Sequence, residues 1–185
     1  HWNWEAGQTV DVWAYYNQAD EVELFLNGKS LGKRAKKEDE MKVWWRVPYE
    51  KGTLRAVSSK DGKEVLVREI KTSGQPVSLR LTADRQALDA NGTDLSFITV
   101  EALDADGYPV PVAGNSIDFK IEGSGFIAGT DNGDPTDHLS LKKPTRKLFN
   151  GKALVVVQSD GKKGDIRLTA TATGLEAGTI HITAN

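Results

Sequence analysis

Residues 21–32 read EVELFLNGKSLG. Val22, Leu24 and Leu26 fall on one side of an extended chain, Glu21 and Glu23 on the other. Period two marks a strand with one buried face, because successive side chains of an extended backbone point to opposite sides. Asn27-Gly28 follows at once, and such a pair tolerates the positive φ of a primed hairpin turn. Strand, tight turn and return strand are therefore readable from this one stretch.

The same pattern recurs outward from it. TVDVWAYY (9–16) aligns Val10, Val12 and Ala14; SIDFKIEG (116–123) aligns Ile117, Phe119 and Ile121. DIRLTATAT (165–173) and TIHITA (179–184) align Ile166, Leu168 and Ala170, and Ile180 and Ile182, which turns His181 to solvent. Asp61-Gly62, Asp106-Gly107 and Asp160-Gly161 supply further hairpin signals. No stretch carries a convincing amphipathic helix. Residues 33–42, helix-like in composition, read as a solvated, charged loop.

Composition changes near KTSGQPVS (71–78). All five tryptophans (Trp2, Trp4, Trp13, Trp44 and Trp45) precede it. Ser73-Gly74-Gln75-Pro76 is short, polar and helix-breaking, as a linker should be. The expected fold class is all-β: two tandem immunoglobulin-like antiparallel sandwiches, 1–74 and 75–185, with a single larger barrel as the alternative.

The bulk numbers close off other classes. A net charge of −2 across 185 residues gives no electrostatic reason for a nucleic-acid or anionic-membrane partner. Without cysteine there is no disulfide framework, thiolate nucleophile or Cys-based zinc site. No apolar run approaches the roughly 18 residues of a membrane-spanning helix. HWNWEAGQ, with no initiator Met, reads as the start of a piece taken from a longer protein. Phosphate loops and dinucleotide motifs find no support, since GKKGD (161–165) and EGSGF (122–126) open no helix.

Two sets of residues carry a family resemblance. HWNWEAGQTVDVWAYYNQADEVELFLNGKSLG (1–32) with VPYEKGTLRAV (47–57) resembles the Ig-like domain that follows the catalytic barrel in bacterial glycoside hydrolase family 2 enzymes, mainly β-galactosidases of gut Bacteroides type. VSLRLTADRQALDANGTDLSFITVEALDADGYPVP (77–111), GTDNGDPTDH (129–138) and RKLFNGKALVVVQSDGKKGDIRLTA (146–170) resemble the further C-terminal domain of the same enzymes, itself similar to bacterial Ig-like adhesin modules. The resemblance implies a parent that hydrolyses terminal β-galactosides with retention, using two carboxyl groups about 5 Å apart. In the family both glutamates sit on the barrel, so no residue of this chain is expected to be catalytic. The partner implied is that barrel, in the same parent chain. An extracytoplasmic parent, periplasmic or secreted, is the expected location.

Two places invite a functional reading. Asp131, Asn132, Asp134, Asp137 and His138 crowd oxygen and imidazole groups into one run. An EF-hand needs a Glu at its twelfth position, and counting from Asp131 that position is Lys142. A loop shaped by Asx turns around Gly129, Gly133 and Pro135, an interface loop touching the parent's barrel, and a metal site are the readings in play. No cofactor and no tightly bound divalent ion are expected. The second place is aromatic. Val43, Trp45 and Val47 make the core stripe of one strand, which turns Trp44 outward beside Arg46. Trp13 likewise points outward beside Asp11 and Tyr15. Packing against another domain, a sugar platform and ordinary core packing are the readings for these rings. The candidate interface or sugar contacts are thus Trp2, Trp4, Trp13, Trp44, Asp131, Asn132, Asp134 and His138, with weak homo-association a further expectation. The functional rivals are a carbohydrate-binding module and an adhesin or stalk segment.

Overall fold

Each stretch that alternates in sequence is a strand in the computed structural model, which describes residues 1–37 and 39–185. Among the described residues there is no helix. The strands fall into two compact units, His1–Thr72 and Ser73–Asn185.

The first unit holds β1 (Thr9–Tyr15), β2 (Glu21–Leu26), β3 (Lys29–Arg34), β4 (Lys42–Pro48), β5 (Thr53–Lys60) and β6 (Lys63–Lys71). They form a two-stranded sheet, β1-β4, and a four-stranded sheet, β3-β2-β5-β6. Val43, Trp45 and Val47 pack with Val22, Leu24, Leu26 and Leu54 in one buried cluster, and Val10, Val12 and Ala14 lie against it. Each buried aliphatic side chain contributes about 1.5–3 kcal/mol, so the alternating stripe is what holds the two sheets face to face. Two of the expected primed turns are present. Asn27 and Gly28 (φ 50° and 81°) join β2 to β3, and Asp61 and Gly62 (φ 50° and 72°) join β5 to β6. The charged loop is narrower than its composition suggests: Lys33 and Arg34 finish β3 and Lys42 opens β4. Glu38, inside that stretch, lies outside the described residues.

The second unit holds β7 (Ser78–Ala83), β8 (Ala87–Leu88), β9 (Leu95–Leu103), β10 (Ser116–Gly123), β11 (Gly125–Asp131), β12 (Thr145–Lys147), β13 (Lys152–Ser159), β14 (Gly164–Thr171) and β15 (Gly178–Ala184). A five-stranded sheet, β12-β10-β14-β15-β8, faces a four-stranded one, β11-β13-β9-β7. Ile117, Phe119, Ile166, Leu168, Ala170, Ile180 and Ile182 are buried between them, as the alternation requires. His181 is exposed. At Asp106-Gly107 and Asp160-Gly161 only the glycine takes positive φ, so these are longer turns and not two-residue primed hairpins. The third primed turn is elsewhere, at Asn150-Gly151 (φ 50° and 75°), ahead of β13. A Cβ on Gly151 would sit 2.2 Å from the Val110 carbonyl oxygen, so the turn needs glycine for space as well as for φ.

Ser73 and Gly74, linker by composition, belong with the second unit. The buried Asp104 carboxylate accepts hydrogen bonds from the backbone N–H groups of Gly74 (2.7 Å), Asp106 (3.1 Å) and Tyr108 (2.8 Å). These donors favour the charged form and hold the acid below its ordinary value of 3.8. Asp104→Ala therefore should release the Gly74 strap and destabilise the second unit by about 1–3 kcal/mol, since three N–H groups lose their acceptor. Thermal melting of residues 73–185 checks this, and an unchanged midpoint would refute it.

Candidate functional site

The outer face of the β1-β4 ladder is set by register. Trp13 pairs with Trp44, Asp11 with Arg46 and Tyr15 with Lys42. Because Val10, Val12 and Ala14 turn inward, these six side chains share the outward face. Trp13 is 55% exposed, Tyr15 64% and Trp44 45%. Cations sit among the rings. Lys42 Nζ lies 3.2 Å from the Trp13 ring centroid, and the Arg34 and Arg46 guanidinium carbons lie 5.7 Å and 5.8 Å from that of Trp44. Arg46 is held in turn by Asp11 through two bonds of 2.8 Å and 3.1 Å, which lower the Asp11 pKa and raise that of Arg46. The result is an aromatic strip with fixed orientation and an ordered rim of charge. Such a surface can stack on a sugar ring or be covered by another protein surface.

Trp2 does not belong to this strip. It is 1% exposed, meets Tyr49 edge-on at 5.3 Å, and its indole N–H donates to the Glu50 carbonyl at 3.0 Å. The expectation of a contact residue is corrected: Trp2 is the peg that closes the end of the first unit's core. Trp4, two residues on, is 40% exposed and stacks on His1 at 4.9 Å.

The 131–143 loop is braced from within. Asp131 Oδ1 accepts from the N–H groups of Asn132 and Gly133, and Asp134 Oδ1 accepts from the N–H and hydroxyl of Thr136. Asn132 donates through Nδ2 to Asp137 (3.1 Å) and to the Lys147 carbonyl (2.9 Å). His138 is exposed. The decisive residue is one that the sequence reading passed over. Arg146, on β12, is 1% exposed and donates to Asp137 Oδ2 (2.9 Å) and to the carbonyls of Thr130 (3.0 Å), Leu139 (3.2 Å) and Ser140 (2.9 Å). No local signal marks it: Arg146 shares its strand phase with the buried Leu148, but that burial is itself settled only in the folded unit. A guanidinium at an inward position demands acceptors, and the Asp-rich loop supplies them. The loop's carboxylates are thus committed to its own N–H groups and to Arg146. Among the described residues no three His, Cys, Asp or Glu side chains gather as a metal-binding set.

The Leu139 N–H, then Arg146, hold the Asp137 pKa below 3.8. A depressed carboxylate stabilises the fold above its unfolded value and loses that contribution as pH falls through the folded one. The brace therefore keeps its full contribution from neutral pH down to about 3.8 and loses it progressively below that, as pH falls through the lowered Asp137 value. Hydrogen exchange of the amides within 131–143, corrected for the intrinsic effect of pH, should accelerate only in that acid range, and protection unchanged from neutral to acid pH would contradict the assignment.

The model of glycoside hydrolase family 2 C-terminal domain 5 matches residues 79–181, more than half of the chain. The chain belongs to that family. The first unit matches a domain of unknown function, DUF4982, over residues 7–66. Along its whole length the chain is 51% identical to β-galactosidase BoGH2A of Bacteroides ovatus, and it spans 22% of that protein. It is 39% identical over 158 residues to a putative β-glucuronidase of Formosa agariphila, covering 82% of this chain and 15% of that one. A family 2 glycosyl hydrolase from Bacteroides cellulosilyticus superposes with a TM-score of 0.95 at 38% identity, over all of this chain and 24% of that one. A β-glycosidase from Bacteroides vulgatus superposes at 0.91 and 32% identity, with the same coverage. The chain thus spans between 15% and 24% of the length of these relatives.

Proposed function

We propose that these residues are the non-catalytic C-terminal part of a retaining glycoside hydrolase that removes terminal β-galactosides. In this reading the catalytic barrel of the same polypeptide is the partner of residues 1–185, which support it, frame substrate or mediate assembly. The observation that carries it is the 51% identity to β-galactosidase BoGH2A, continuous over the whole chain. The internal bracing of the 131–143 loop fits the supporting role. Its acids are used to hold a loop in shape, as a supporting domain would use them. An extracytoplasmic location for the parent belongs to the same proposal.

A second reading, β-glucuronide hydrolysis by the parent, draws on the Formosa agariphila relative. One experiment separates them. The full-length parent is assayed on nitrophenyl β-galactoside and β-glucuronide, beside residues 1–185 alone. The galactoside should be preferred by the parent, and the isolated residues should give no turnover above the buffer blank, because a missing constellation removes many orders of magnitude in rate. Glucuronide preference would overturn the substrate, and turnover that tracks the isolated residues through purification would overturn the non-catalytic role.

A further inference from the structure

The first unit is a sandwich with one strand too few. Immunoglobulin-type sandwiches of the constant type pack four strands against three, whereas here four pack against two. The shortfall has a location. Between β1 and β6 lies a groove of about 550 Å³, floored by the core residues Leu24, Leu54 and Ala56. Its far wall is Leu66, Arg68 and Ile70 of β6, and the two aliphatic residues are 46% and 45% exposed although they are large. Its near wall is β1 itself.

β1 also offers the hydrogen bonds. The Tyr49 N–H donates to the Gln8 carbonyl at 2.7 Å, so alternation along the antiparallel ladder turns the backbone groups of Val10, Val12 and Ala14 toward β4. Asp11, Trp13 and Tyr15 turn theirs to the opposite edge, where β1 has no neighbouring strand among the described residues. Sheet edges are normally blunted by charge or proline. β6 carries Lys63, Glu64, Arg68, Glu69 and Lys71, and β4 ends in Pro48, but β1 has Asp11 as its single charged residue. An unblunted edge beside an apolar groove is the geometry of strand addition, in which main-chain bonds give affinity and alternate side chains fill pockets.

We propose that β1 and this groove receive an extended strand, apolar at alternate positions, supplied by the part of the same full-length polypeptide that lies outside residues 1–185. The proposal rests on the parent reading above. This chain spans 22% of BoGH2A, so a parent of similar length would carry most of its residues elsewhere. A strand tethered in the same polypeptide meets β1 at high effective concentration, which a free partner does not. The added strand would pair with Asp11, Trp13 and Tyr15, seat every second side chain over Leu66 and Ile70, and bring the sandwich to four strands against three.

Hydrogen exchange read by mass spectrometry tests this on residues 1–185 and on the full-length parent. In residues 1–185 the β1 amides of Asp11, Trp13 and Tyr15 should exchange as a free edge. In the parent they should slow on the order of 10- to 100-fold, as edge amides become interior ones. Amides of β2, between β3 and β5 in both proteins, serve as the control. In the parent, Leu66→Ser with Ile70→Ser should return the β1 amides toward the fast rate and leave β2 unchanged. Equal β1 exchange in the two proteins overturns the proposal. So does β1 protection in residues 1–185 alone: if it rises with concentration the occupant is a second copy, and if it does not the edge is already satisfied. A parent that prefers glucuronides but protects β1 leaves this proposal standing. Absent protection in an active β-galactosidase removes it without touching the substrate.

Discussion

Arg146→Met lowers the stability of the second unit by about 3–5 kcal/mol, because a fully buried guanidinium that serves a carboxylate and three backbone carbonyls at once is lost. Methionine fills much of the same volume but brings no donor. Asp137 then keeps a charge with its strongest side-chain partner gone, and the carbonyls of Thr130, Leu139 and Ser140 each lose a donor. For a unit of this size the change corresponds to roughly 10–20 °C in melting temperature. Calorimetry on residues 73–185 measures it directly, and a loss under about 1 kcal/mol would mean that water replaces the guanidinium. Combining Arg146→Met with Asp137→Ala should cost clearly less than the two single changes added together, because residues in one network couple.

Trp2→Ala costs the first unit about 3–5 kcal/mol, the range for large aromatic truncations in a core. The ring closes the end of a small core, where a few kcal/mol is a large part of the total stability. The unit should melt well below the second one or fail to fold. Trp2→Phe keeps most of the packing and forfeits only the bond to the Glu50 carbonyl, about 1 kcal/mol. Trp4→Ala, on an exposed ring, should stay within about 0.5 kcal/mol. Tryptophan fluorescence with chemical denaturation ranks the three. Equal effects of Trp2→Ala and Trp4→Ala would show that the peg does not hold the core.

Candidate residues read alike in sequence part company in the fold. Trp13 and Trp44 could be turned outward from the chain alone, because their neighbours fix the phase of each strand. The Asp131–His138 run could be read as turn-forming, because Asp and Asn side chains reach N–H groups one and two residues away. Both inferences use interactions shorter than a strand. Arg146 defeats that reach: its acceptors lie between 6 and 16 residues away, and nothing local says that one arginine in a basic stretch is inward.

The sequence by itself determined the all-β class, the inward stripe of each alternating strand, and the primed turns at Asn27-Gly28 and Asp61-Gly62, since side-chain period and positive φ are local properties. Only the tertiary structure decided that Trp2 is buried while Trp4 is exposed, that Arg146 is the hub of the acidic loop, and that β1, among the described residues, pairs with β4 alone and leaves a groove against β6. Trp2 and Trp4 have the same side chain and lie two residues apart ahead of β1, so local rules cannot separate them. What separates them is Tyr49 and Glu50, brought against Trp2 from across the unit by strand pairing. Burial is a property of what the rest of the chain puts beside a residue, and that is settled only when the sheets close.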